Sequence, residues 1–170
     1  MFGGDSMQAL KWLQRYKRLV ARRIEDLTTQ EQEELKDLTS KLSSVLEPGS
    51  ADKPPPRRAD VRVDTHFDIV IKNAGQMQKL FIKNISGGGL YLESYAPSPV
   101  GTRLELDLVL PGHSKIIHTL AEVAWSNTKS VGELPPGMGV RFINLNPEVK
   151  KMIHGLVTTK VEEVIKDKKK

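Results

Sequence analysis

The chain has 170 residues, 38% apolar and 28% charged, with no cysteine and a formal net charge of +5. That length suits about one domain plus an extension, and the composition supports a folded core rather than global disorder. Disulfides and thiolate chemistry are excluded, and a reducing cytoplasm is the expected compartment.

No apolar run approaches the ~18 residues of a membrane span. Met1–Gln8 lacks the basic start and apolar stretch of a secretory signal. Residues 1–47 are expected to form an N-terminal helical extension. From 7 to 46 there is no Pro or Gly, and Ala9, Leu13, Tyr16, Val20, Ile24 and Leu27 recur at helical spacing. Thr28 with Glu31, or Thr29 with Gln32, offers a capping box that starts a second helix. Leu35, Leu38, Leu42 and Val45 then follow the spacing of a short coiled-coil seam. Lys11, Arg15, Lys17, Arg18, Arg22 and Arg23 precede Glu25, Asp26, Glu31, Glu33, Glu34 and Asp37. A helical hairpin, or a helix pair between subunits, would bring these opposite charges together. Residues 7–46 are therefore expected to pack, to self-associate or to hold a protein partner. The basic stretch 11–23, with Trp12 and Tyr16, offers a subordinate reading as a membrane-surface or nucleic-acid contact.

Residues 48–56 read as a linker, stiffened at its end by Pro54–Pro56. The period then changes to two. Val63, Thr65, Phe67, Ile69 and Ile71 alternate with polar neighbours up to the turn at Asn73-Ala-Gly75. Further strands are expected at 77–84, 89–94, 103–110, 117–127 and 137–143. Short strands at hairpin spacing without intervening helices indicate an antiparallel sheet closed into a small barrel. A final helix starts at the N-cap Asn146 with Pro147 and Glu148 in its first turn. Its stripe of Met152, Ile153, Leu156, Val157, Val161 and Val164 must cover something, with a barrel opening as the expected partner. Residues 57–165 form the barrel domain in this reading, and 166–170 a solvated basic tail.

Two segments carry the chemistry. Arg57, Arg58 and Arg62 cluster where the proline-rich linker enters the first strand. Guanidinium groups bind phosphate bidentately and stack on planar bases, and prolines just before them lower the ordering cost of a clamp. Asn84-Ile-Ser86-Gly87-Gly88-Gly89 places an amide, a hydroxyl and bare backbone in one tight turn, suited to close approach by a ligand. No Gly-Lys-Ser/Thr follows and no helix begins there, so a phosphate-binding loop is a poor alternative. Together the segments suggest a small site for an anionic nucleotide.

Other candidates carry less. His66, His113, His118 and His154 are scattered without metal-ligand spacing, so surface or strand-end roles and no metal site are expected. Ser86 lacks a local base and the strand-to-helix elbow of hydrolases, so no enzyme is expected. Trp125, beside Ala121, Val123 and Ala124, reads as a core residue.

Arg58-Ala-Asp-Val-Arg62 followed by Asn84-Ile-Ser86-Gly-Gly-Gly89 resembles the two-part signature of PilZ domains, RxxxR and then D/NxSxxG. Gly137-Met-Gly-Val-Arg-Phe142 is similar to that family's late barrel strand. The resemblance covers about residues 54–165 and leaves the N-terminal helices outside it. It implies a mainly β fold, a six-stranded antiparallel barrel with a C-terminal helix, that binds cyclic di-GMP. Arg58 and Arg62 would clamp phosphates and stack on guanine; Asn84 and Ser86 would hydrogen-bond guanine and the nearby phosphate. Gly87 and Gly88 complete the turn, and Gly89 would permit close approach. Arg57 occupies the position where an arginine tends to favour a stacked ligand dimer. No cofactor is implied besides the ligand. Binding is expected to move the helices relative to the barrel and so signal to a partner; the alternative is an interaction adaptor with weak or no nucleotide binding.

Overall fold

The structure, a computed structural model, describes residues 3–46, 60–73 and 76–168. The linker 48–56 and the candidate residues Arg57 and Arg58 lie outside these. The chain divides into two compact units, Met1–Val63 with His154–Lys170, and Asp64–Ile153.

The first unit is helical. It holds α1 (Gly3–Val20), a short 3-10 turn (Ile24–Asp26), α2 (Thr29–Leu46) and, from His154 onward, α3 (Pro147–Asp167). Helical periodicity gives each helix one apolar face. That face buries Ala9, Leu13, Tyr16 and Leu19 on α1, Leu38 and Leu42 on α2, and Val157, Val161 and Ile165 on α3. The spacing expected to run on through Val20 and Ile24 stops short, because α1 ends at Val20. Arg22 folds back to donate from Nη2 to the Asp26 carbonyl at 2.5 Å, Leu19 takes the buried place, and Ile24 is exposed. α2 opens with the Thr28 capping box. The Glu31 N–H donates to Thr28 Oγ1 at 3.2 Å, and the Thr28 N–H donates to Glu31 Oε2 at 2.9 Å. Within this unit α3 meets α1 through the Lys17–Glu162 pair, and Ile165 rather than Val164 is fully buried on its apolar stripe.

The segregated charges meet as their order suggested. Arg15 donates twice to the Glu34 carboxylate, at 2.9 and 2.7 Å. Arg22 pairs with Glu31 at 2.7 Å and Lys17 with Glu162 of α3 at 3.1 Å. Half the cations in the basic stretch thus neutralise acids of the same unit. The Thr28 amide holds the Glu31 carboxyl below the usual carboxylate range, Arg15 does so for Glu34, and Lys166 with Lys17 for Glu162. An unfolded chain binds protons on these groups at higher pH than the folded one, so acid favours unfolding. The stabilisation is full above the ordinary value of 4.5 and is lost as pH falls below it. Urea midpoints followed by circular dichroism from pH 6 to pH 3 are expected to fall, and less steeply in Glu34→Gln. Identical slopes in both proteins would remove Glu34 from this account.

The second unit is built on six strands: β1 (Val63–Asn73), β2 (Gln76–Ile85), β3 (Gly89–Glu93), β4 (Arg103–Leu108), β5 (Ile117–Asn127) and β6 (Gly137–Ile143). They close into a barrel in the order β1-β2-β3-β6-β5-β4. Inward positions alternate along each strand. Ile69 and Ile71 face the interior beside Leu108 and Leu106, and Leu90 and Leu92 beside Val140 and Met138. Asn146 Oδ1 accepts from the Glu148 N–H at 2.8 Å, which caps α3 as expected.

Two bulges break this alternation. The β2–β3 register slips between Ile82 and Asn84, and the β5–β6 register between Val123 and Trp125. Each slip sends the following side chains to the opposite face. Trp125, expected in the core from its apolar neighbours, therefore stands on the outer surface at 39% exposure.

Candidate functional site

The two halves of the candidate site belong to different units, and each has its own supports. The arginine half, as described, runs from Asp60 to Val63 in the helical unit. Val61 and Val63 are buried and Arg62 between them is exposed, the pattern of an extended chain with one face covered. Tyr16 of α1, wholly buried, accepts at its hydroxyl from the Val61 N–H at 3.4 Å. Burial, and then the charge of Asp60, push the Tyr16 phenol well above its usual range, so it stays protonated. Asp60 Oδ1 lies 3.8 Å from Nε2 of His154 on α3. His154 is thus buried against the arginine segment, not the surface histidine expected; His66, His113 and His118 are exposed. Its helical stripe of Ile153, Val157 and Val161 carries it inward with its neighbours.

The turn half lies in the barrel. Without the β2 bulge, Asn84 would continue the inward series of Leu80 and Ile82. With it, Asn84 pairs with Tyr91 on the outer face, and Ile85 enters the core opposite Leu90. The Ser86 N–H donates to the Gly89 carbonyl at 2.8 Å. Ser86 Oγ, itself buried, donates to the same carbonyl at 3.3 Å and accepts from the Gly88 N–H at 3.3 Å. The Gly88 carbonyl accepts from the Phe142 N–H at 3.0 Å. The turn is therefore held from within and from β6. Gly89 makes a close approach possible, and the approaching group is protein: a Cβ there would lie 2.1 Å from the Val140 carbonyl oxygen.

Tyr91, Trp125 and Arg141 join Asn84 on the outer face, a grouping the sequence reading did not foresee. Asn84, Tyr91, Gly139 and Trp125 are consecutive partners across β2, β3, β6 and β5. The Tyr91 and Trp125 rings are 5.6 Å apart at 41°, and the Tyr91 hydroxyl donates to the Pro135 carbonyl at 2.7 Å. The next row pairs Gly89 with Arg141, whose Nη2 donates to Glu122 Oε1 at 2.6 Å. Tyr91 is buried, so the face presents the Asn84 amide, the half-exposed Trp125 ring and the Arg141 guanidinium, a set that can receive a planar polar ring. No sequence signal announces the bulges, although Gly-Met-Gly at 137–139 marked the strand.

A cavity of about 580 Å³ lies in the helical unit, between Ala9, Trp12, Lys41, Val45, Ile165 and Lys168. It contains no residue of either motif. Among the described residues no cluster of His, Asp or Glu could hold a metal ion, and no helix is long and apolar enough to cross a membrane.

Comparison with known proteins adds the following. The family model for the PilZ domain matches residues 56–159. No curated protein matches. Among solved structures, the inhibitor of motility MotI/DgrA of Bacillus subtilis superposes with a TM-score of 0.53 at 20% identity. That match covers 61% of this chain and 50% of the other, so it spans about half the length of that protein. MrkH of K. pneumonia, solved as a complex with c-di-GMP, gives 0.52 at 18% identity over 67% of this chain and 56% of that one. The PilZ domain of Escherichia coli YcgR, solved with c-di-GMP, gives 0.50 at 20% identity, covering 67% of this chain and 98% of that one. At these identities the likeness concerns the fold, a closed six-stranded barrel with a C-terminal helix.

Proposed function

The chain belongs to the PilZ domain family, and from that membership we propose that it is a non-enzymatic receptor for cyclic di-GMP. The observation that carries this reading is the β2 bulge, which turns Asn84 outward beside a turn that Ser86 already holds in shape. A preformed turn lowers the ordering cost of binding. Arg57, Arg58 and Arg62 supply the phosphate clamp and stack on guanine; Asn84 and Ser86, with the bare backbone of Gly87, Gly88 and Gly89, read the guanine edge. Cyclic di-GMP is named as the ligand in the MrkH and YcgR structures, and both motif parts stand in this chain in the family's order.

Signalling follows from the position of the arginines, which lie beside residues grouped with the N-terminal helices rather than with the barrel. Binding engages these arginines and changes the surface that the helices offer to a partner protein. The pairing of Arg15, Lys17 and Arg22 with acids of their own unit favours this over nucleic-acid binding through 11–23.

Titration calorimetry of the purified chain with cyclic di-GMP is the direct test. Micromolar affinity, about 8 kcal/mol, is within reach of two or three charge-assisted hydrogen bonds at roughly 1.5–3 kcal/mol each plus stacking. No binding heat at ligand concentrations near 1 mM, by protein with a cooperative thermal transition, would overturn the receptor reading. Small-angle scattering of the saturated protein is expected to differ from that of the free protein; superimposable curves would remove the switch and leave the receptor.

A further inference from the structure

Resting on that receptor reading, we propose that Tyr16 and His154 are positioning residues for the nucleotide site, fixing from two helices the segment that presents Arg62. Neither side chain carries a motif role, and Tyr16 lies outside the 56–159 family match. Both converge on the residues immediately before Arg62. The Tyr16 hydroxyl accepts from the Val61 N–H at 3.4 Å, and His154 Nε2 stands 3.8 Å from the Asp60 carboxylate.

The burial of these groups is costly unless they act on something. Tyr16 is 1% exposed and His154 8%. His154 Nε2 is one of two buried side-chain polar atoms among the described residues without a hydrogen-bond partner. Buried polar atoms without partners are uncommon and call for a reason. Here the imidazole directs its polar edge to the Asp60 carboxylate, and the phenol takes up the one backbone donor of Val61. Each contact removes conformers from a short segment whose next side chain is an exposed arginine. A guanidinium on a fixed backbone loses less freedom when it grips a phosphate.

Affinity for cyclic di-GMP is therefore set partly by α1 and α3, elements that carry none of the motif residues. The coupling is reciprocal. Bound nucleotide tightens the hold of Tyr16 on the segment, which gives the helices a direct report of occupancy.

The test combines affinity with local hydrogen exchange on the full chain. Tyr16→Phe keeps the ring and its packing and deletes only the hydroxyl. It is expected to weaken cyclic di-GMP binding by about 3- to 10-fold, the equivalent of one net hydrogen bond. Exchange should rise in peptides spanning 60–63 and stay unchanged in those spanning 84–89. His154→Leu, which retains volume without a polar edge, is expected to act in the same direction. A merely structural loss would lower melting temperature and raise exchange in both peptides. Wild-type affinity and wild-type exchange at 60–63 in both variants would overturn this inference while leaving the receptor intact. Failure of the wild-type protein itself to bind would overturn the receptor reading, and this inference with it.

Discussion

Calorimetry is expected to register no cyclic di-GMP binding by Arg62→Ala, and none by Arg58→Ala, with both proteins folded. Arg62 is exposed between the buried Val61 and Val63, so truncating it leaves the core in place. A motif arginine that makes two charge-assisted bonds to phosphate and covers a base supplies roughly 3–6 kcal/mol from hydrogen bonding alone. Against a total of about 8 kcal/mol for micromolar affinity, its loss weakens binding by roughly two to four orders of magnitude, to a Kd of about 0.2 mM or weaker. Thermal transitions like that of the wild type would establish that the site, not the fold, was removed. Near-wild-type affinity in both variants would sink the assignment of the arginines.

The second large effect falls on stability. A Cβ at Gly89 would meet the Val140 carbonyl oxygen at 2.1 Å and the Arg141 Cα at 3.1 Å, both backbone atoms of the paired strand. That strand is pinned by the Gly89–Arg141 register and by the Phe142 N–H bond to the Gly88 carbonyl, so it cannot recede without breaking the ladder. Gly89→Ala is expected to cost about 3 kcal/mol or more, a fall of roughly 6–12 °C in melting temperature for a chain of this size. Gly139→Ala is the control. Its Cβ would meet only the Trp125 side chain, at 3.8 Å, and its transition should stay close to wild type. Equal melting temperatures for Gly89→Ala and the parent would contradict the geometry.

The barrel was legible because period-two alternation survives in most strands. Val63, Ile69 and Ile71 went where that pattern sent them, and the charge order of the first two helices foretold the Arg15–Glu34 pair. What escaped the sequence has a common cause. A bulge is one extra residue with no composition of its own, so the apolar neighbours of Trp125 pointed to the core, and nothing in the residues foretold that Asn84 would emerge beside Tyr91. His154 escaped for a different reason. Its partner Asp60 is 94 positions away by residue number, and only the tertiary packing of α3 brings the two together. Tyr16 was read rightly as a buried helical residue, but its hydroxyl's bond to Val61 could not be inferred from spacing.

The contact between Gly89 and Val140 bears on how such a signature would erode over generations. The final glycine is demanded by the meeting of two strands, whatever the chain binds. On the receptor reading proposed above, Arg58 and Arg62 are kept for the ligand. In a lineage released from nucleotide signalling, mutation would be free to strip the arginines first, while folding went on protecting the glycine. A surviving glycine then testifies to an intact barrel, and a surviving arginine pair to continued use.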